Sequence, residues 1–248
     1  MQLRRFIDAA QRGPARLELG PGGLATLVLG VVALAGSVSV FGGATEDVTQ
    51  RNGLALRDVS NLHVFTDHRT AWLVSLSRVV SEIGAVPVVG AIALVAGLVL
   101  WRRGFGRVYA LAPIASLAIA GGAVAVTKHV VGRARPPVGL HLVSESNASF
   151  PSGHATHSAA VLLSVAFVVA VVVLRRLIVR VLVVVAAALV TGAIGASRLV
   201  LGVHWPSDVL AGWALGLGVA LAVTMAAVVI ARPGERISVA RSSGAVDC

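Results

Sequence analysis

Six runs of the chain are apolar without interruption: Leu24 to Thr45, Ile83 to Trp101, Val108 to Thr127, Ala155 to Leu174, Val181 to Ser197 and Val209 to Ala231. None contains Asp, Glu, Lys or Arg. A helix needs about 20 apolar residues to cross the hydrocarbon core of a bilayer, and each run reaches or approaches that length. The pattern predicts an all-α fold: an integral membrane bundle of six transmembrane helices in a single domain over residues 1–248, with polar ends at 1–20 and 232–248. The longest polar interval, residues 46–82, follows the first run. Its second half carries Leu73, Leu76, Val79 and Val80 at helical spacing, which predicts a short interfacial helix leading into the second span. Its first half reads as a solvated connector. Pro87 and Pro113 fall early in their spans, where proline costs little. The interval from Arg175 to Arg180 is short enough for a tight hairpin.

Composition agrees with the pattern. The chain is 56% hydrophobic and 13% charged, with a mean hydropathy of +0.88. A formal net charge of +10 in a soluble protein would suggest a nucleic-acid partner; here topology accounts for it. Thirteen of the 21 basic residues fall at the N-terminus, between Arg102 and Arg107, between Arg175 and Arg180, and in the tail. These segments alternate with the others across six spans. The positive-inside rule therefore places both termini in the cytoplasm, with no nucleic-acid role implied. The first run is longer than the apolar core of a signal peptide and reads as an uncleaved anchor. Cys248 is the only cysteine, so no intrachain disulfide and no Cys/His metal cluster is expected. Lys128 is the only lysine among 21 basic residues.

Three polar clusters remain, and span parity puts them on one side of the membrane, the outer one. Lys128 to Pro137 leaves the third span. Phe150-Pro151-Ser152-Gly153-His154 opens the fourth, and Ser197-Arg198 with His204 and Asp208 joins the fifth to the sixth. Ser152 and Gly153 are small residues at a helix start, where unpaired N–H groups and the helix dipole favour an anion. Lys128, Arg135 and Arg198 add three permanent cations, a set suited to a group with more than one negative charge, phosphate above all. Charges so near hydrocarbon are costly and usually functional. Asp208 follows His204 by four residues and can reach back to its imidazole. Such a pair orients a nucleophilic or basic histidine, though it is also an ordinary loop hydrogen bond. His154 is then free to protonate a leaving oxygen. Two histidines and an aspartate match a zinc ligand set, but three neighbouring cations would repel the ion, so no metal and no other cofactor is expected. A flippase with a cationic pocket would need no nucleophile, which favours an enzyme. His157, one turn beyond His154, reads as a packed side chain; His63, His68, His129 and His141 read as loop residues.

Lys128 with Arg135-Pro136, Pro151-Ser152-Gly153-His154, and Ser197-Arg198 with His204 and Asp208 together resemble the three-part signature of the type 2 phosphatidic acid phosphatase superfamily. That superfamily includes membrane lipid phosphatases, soluble bacterial acid phosphatases and vanadium haloperoxidases. No signature position departs from the pattern. The resemblance implies that Lys128, Arg135, Ser152, Gly153 and Arg198 hold the phosphate oxygens. It also implies that His204 attacks phosphorus to give a phosphohistidine, that Asp208 orients His204, and that His154 protonates the leaving group and then activates water. The implied partners are a lipid phosphate in the bilayer and water as second substrate. The expected setting is a bacterial plasma membrane with the site on its outer face. The expected substrate is a polyprenyl pyrophosphate of the undecaprenyl type. Phosphatidylglycerophosphate, phosphatidic acid and a polyprenyl-linked sugar phosphate are the rivals, and transfer of the phosphoryl group to an alcohol uses the same residues. The signature reads the phosphate and leaves the lipid tail and the oligomeric state open.

Overall fold

In lipid, every backbone polar group must find its partner within the protein, so the apolar runs have no stable form but helix. The computed structural model describes residues 21–231, with side chains from residue 25 onward. The expectations for residues 1–20 and 232–248 lie outside the described residues. In chain order the helices are α1 (Pro21–Gln50), α2 (Gly53–Leu56), α3 (Asp58–Thr66), α4 (Ala71–Ile83), α5 (Val86–Arg102), α6 (Arg107–Val131), α7 (Gly153–Val172), α8 (Leu177–Val200) and α9 (Pro206–Ile230), and a 3-10 turn spans Val138–Leu140. The described residues contain no strand. The protein is a multi-pass membrane protein of the all-α class.

Among the described residues, five helices are long and apolar enough to span singly, and α4 with α5 makes a sixth unit bent by 49°. The bend falls where the predicted interfacial helix leads into the second span. Its cause is Pro87: a continuous helix would need a Pro87 N–H bonding to Ile83, and the ring would collide with that carbonyl. The chain instead breaks at Gly84 and Ala85 and restarts with proline in the first turn of α5.

The helix α4 occupies the place predicted for the interfacial helix, and its polarity faces inward. Ser77 and Ser81 are buried, whereas Trp72, Leu76 and Val79 are exposed. A helix with lipid on its outer side and a polar site on its inner side has this arrangement. The preceding interval departs from the expected solvated connector. Asp58, Leu62 and Thr66 are all buried on one side of α3, which packs against α8 and α9. The four-residue spacing is helical, but a charged first member hides it from hydropathy. Arg69 then ties this interval to the bundle, with Nε donating to the Val200 carbonyl at 2.7 Å and Nη2 to the Leu140 carbonyl at 2.9 Å.

At the centre, α9 packs along α7, α1 and α6, and α7 also meets α5, α6 and α8. The α7–α9 contact is close because Gly212 and Gly216 present no side chain to it. A Cβ at Gly216 would overlap the Thr156 carbonyl and the Ala159 methyl. Small residues at such crossings let helix backbones approach within lipid, where no hydrophobic force between helices exists. The ends of α7 and α9 that carry Ser152 and Asp208 are thereby held together: the Ser152 N–H donates to the Asp208 carbonyl at 3.0 Å.

Candidate active site

Gly132 ends α6 in the left-handed region (φ 57°), a conformation that costs glycine little, and turns the chain so that Arg133 and Arg135 leave in a new direction. Lys128 stands in the last turn of α6. Its Nζ donates to Asn147 Oδ1 at 3.1 Å and to the Ala148 carbonyl. Arg135 donates through Nε to the Asn147 carbonyl at 2.8 Å, through Nη2 to Asn147 Oδ1 at 2.6 Å, and through Nη1 to the Val203 carbonyl at 2.6 Å. Asn147 thus holds two of the three predicted cations, Lys128 and Arg135.

The third cation, Arg198, lies near the end of α8 and is 3% exposed. Its Nη1 donates to Ser81 of α4 at 2.6 Å, and its Nη2 bonds Glu145 Oε1. The other Glu145 oxygen accepts from Arg135 Nη2 at 3.2 Å. One carboxylate therefore spans two of the cations. Burial pushes the Glu145 carboxyl upward, but Arg198 and Arg135 outweigh it and hold the group below its ordinary value.

Two buried polar groups here have no partner in the structure: Ser152 Oγ and Arg198 Nε. Leaving a buried donor unpaired costs roughly 1–3 kcal/mol, so such groups call for a ligand or another explanation. A phosphate fits both, since each can donate to an anionic oxygen. Gly153 opens α7, and its N–H is among those a helix leaves unpaired at its start.

His204 precedes α9 and is 2% exposed. Its Nδ1 lies 3.3 Å from Asp208 Oδ2, and Arg135 Nη1 lies 3.2 Å from its Nε2. A guanidinium only donates, so Nε2 must accept, and the ring proton resides on Nδ1 facing Asp208. This tautomer leaves the Nε2 lone pair on the side of Arg135. Burial pushes the imidazole down to about 4, against the upward pull of Asp208, so the ring is neutral at pH 7. Asp208 is fully buried; its Oδ2 also accepts from the Trp205 N–H at 2.9 Å and from the Ser149 hydroxyl.

His154 sits in the first turn of α7 and faces the α4–α5 break. A Cβ at Gly84 would lie 3.4 Å from its Cδ2. The His157 ring packs beside Gly153 and Gly121. His129 and His63 belong to α6 and α3, a correction to their reading as loop residues. His63 pairs with exposed Asp67 at 3.2 Å, His68 bonds the Val64 carbonyl, and His141 bonds the Pro136 carbonyl. Among the described residues, no group of three or more His, Cys, Asp and Glu is placed to hold a metal ion.

All eight predicted site residues lie at one end of the bundle. Hydrogen bonds link Lys128, Arg135, Arg198, His204 and Asp208 directly or through one shared partner, and Ser152 joins through its backbone. Five polar residues of the same end were not predicted as site members: Glu145, Asn147 and Ser149 in the loop before α7, and Arg133 and Asp58. Arg133 carried a signal, lying two residues before Arg135 in the same polar cluster. Asp58 carried none, because its segment holds many similar charges.

A model of the PAP2 superfamily matches residues 109–230, the stretch that contributes every one of the eight. The chain belongs to the PAP2 superfamily. A relative from Bacillus subtilis (strain 168), phosphatidylglycerophosphatase B, is 36% identical over 96 residues, covering 37% of this chain and 45% of that protein. Decaprenylphosphoryl-5-phosphoribose phosphatase of Mycolicibacterium smegmatis is 36% identical over 97 residues, covering 38% of this chain and 47% of that one. The aligned part is therefore under half the length of either relative. The crystal structure of a transmembrane PAP2-type phosphatidylglycerolphosphate phosphatase from Bacillus subtilis superposes with a TM-score of 0.72 at 25% identity, covering 79% of this chain and 98% of that one. The superposition thus extends well beyond residues 109–230.

Proposed function

We propose that this PAP2 protein is a metal-independent lipid phosphate phosphatase that works through a phosphohistidine at the outer face of a bacterial plasma membrane. The observation that carries the proposal is the orientation of His204. Its Nε2 lone pair faces the cations while its Nδ1 proton is held by a buried carboxylate. Arg198 Nε and Ser152 Oγ, both buried and unpartnered, are the donors that a phosphoryl group would take up. In the first step Nε2 attacks phosphorus, the P–O bond to the lipid breaks, and His154 gives its proton to the departing oxygen. In the second step His154 takes a proton from water, whose oxygen displaces His204 and releases inorganic phosphate. Lys128, Arg135, Arg198 and the Gly153 N–H stabilise the charge on the equatorial oxygens in both steps, a role that divalent ions fill in other phosphoryl-transfer sites.

The substrate inferred from sequence is a polyprenyl pyrophosphate of the undecaprenyl type. The names of the two relatives favour a second reading, a phosphomonoester on a lipid-borne polyol, as in phosphatidylglycerophosphate or a polyprenyl-linked phosphoribose. Phosphate release by the purified protein from a panel of these lipids, with phosphatidic acid included, decides between them. EDTA is expected to leave the activity intact and vanadate to inhibit it. A protein that releases phosphate from none of the panel, or that loses activity to EDTA and regains it with zinc, would refute the proposal.

Lys128 contributes a point charge whose present partners are an amide oxygen and a carbonyl, both replaceable by a phosphate oxygen. Lys128→Ala is expected to lower kcat roughly a hundredfold, or ~3 kcal/mol of transition-state stabilisation. Steady-state kinetics check it. An unchanged kcat would reduce Lys128 to a marker of topology.

A further inference from the structure

The two oxygens of Asp208 have separate partners. Oδ2 serves His204, Ser149 and the Trp205 N–H, while Oδ1 accepts from Arg133 Nη1 at 2.6 Å. Arg133 lies outside the phosphate-holding set, and its guanidinium is taken up by Asp208, Asp58 and Ser207. Its Nη2 donates to Asp58 Oδ2 at 2.5 Å, its Nη1 also reaches Ser207 Oγ at 2.7 Å, and its plane lies 5.6 Å from the Trp205 ring centre. Asp58, 2% exposed on α3, accepts in addition from the Ser207 N–H at 2.9 Å and from the Ser207 hydroxyl at 2.5 Å. It therefore caps the first turn of α9, the turn that carries Asp208.

We propose that Arg133, anchored by Asp58, is a positioning residue for the His204–Asp208 pair, so that α3 takes part in aiming the attacking nitrogen. The proposal rests on the phosphohistidine reading above. Geometrically, a carboxylate pinned at one oxygen by a fork that is itself pinned cannot rotate away from the imidazole. Electrostatically, two buried carboxylates share one guanidinium. Without it Asp208 would face His204 as an uncompensated anion and draw a proton onto Nε2, which would remove the nucleophile. The other charges around His204 are Arg135 and Glu145 from the loop before α7, Arg198 of α8 and His154 of α7, with Lys128 of α6 beside Arg135. Substitution of Arg133 changes none of them.

Arg133→Met leaves Asp58 with Ser207 but no counter-charge, and Asp208 Oδ1 with no donor, so loss of fold must be separated from loss of aim. Removing one partner of a buried ion pair is strongly destabilising, whereas removing both charges is far less so. The double variant Asp58→Asn/Arg133→Met, which removes the Asp58 charge and leaves Asp208 still lacking Arg133, is therefore expected to regain part of the thermal stability that Arg133→Met loses. It should not regain the activity: kcat stays about a hundredfold below wild type, as for other small misplacements of a reacting group, with KM little changed. In both variants the acidic limb of kcat against pH moves up by about one pH unit. The same shift is read without turnover by following the His204 ring in protein carrying 15N-histidine, the signal being identified by its loss in His204→Gln. A double variant that regains kcat with stability, or a His204 titration that stays in place, overturns the proposal. If the wild-type protein hydrolyses no lipid phosphate, the phosphohistidine reading falls while the titration still decides whether Arg133 governs His204.

Discussion

Replacing His204 by alanine is expected to abolish phosphate release, with a loss on the order of 10⁵-fold or more, as when the nucleophile of a hydrolase is removed. The fold should survive. Arg135 would lose only one of its acceptors and keep the Val203 carbonyl, Asn147 and Glu145. Asp208 would keep Arg133, Ser149 and the Trp205 N–H. The checks are an assay with labelled lipid phosphate, a thermal melt, and rapid quenching for an acid-labile phosphoprotein. Wild-type protein should trap label under alkaline conditions and lose it in acid; the variant should trap none. A variant that retains activity or label would move the covalent step to another residue, His154 first among them.

Asp208→Asn is expected to be nearly as severe while changing the shape of the side chain hardly at all. The carboxylate accepts on both oxygens, from Arg133 on one side and from three donors on the other. An amide accepts on one side only. With its oxygen towards His204, its NH2 group meets the Arg133 guanidinium, donor against donor. With the amide reversed, NH2 meets His204 Nδ1 and drives the ring proton to Nε2, so the attacking lone pair is gone. Either way kcat should fall on the order of a thousandfold or more, by analogy with the orienting aspartate of hydrolytic triads. The two arrangements differ in stability and in the NMR signature of the His204 tautomer. Wild-type rates in the purified variant would refute the pairing as a catalytic one.

Residues that announce their chemistry by type and spacing were legible in the chain before any coordinates. His204 and Asp208 lie one helical turn apart and the structure puts 3.3 Å between them. Lys128, Arg135 and Arg198 converge because span parity leaves them one side on which to meet. The six apolar runs became helices because lipid leaves the backbone no other partner. What escaped the sequence was whatever depends on a distant partner. Asp58 is one acid in a polar interval, and its burial follows from Arg133 and Ser207, 75 and 149 residues further on. Glu145 is one acid in the loop before α7, and nothing in spacing says that it joins two arginines from separate elements. The bend before α5 had its cause in view at Pro87. The predicted junction at Ile83 marks its place, and hydropathy, which runs evenly through Gly84 and Ala85, does not report its angle. The inward serines of α4 escaped for a related reason, since a helical stripe of apolar residues does not declare whether protein or lipid lies against it.

The carboxylate that joins Arg135 to Arg198 also bears on how an anion would arrive. A pocket of bare cations would collect phosphates from a distance, with an affinity that falls steeply as salt rises. If phosphate takes the arginines from this tethered resident, which already neutralises part of their charge, capture is an exchange between two anions. The reverse exchange, with the carboxylate returning to Arg135 and Arg198, would then help to expel inorganic phosphate, and a catalyst that cleared itself in this way would keep turning over where its product accumulates.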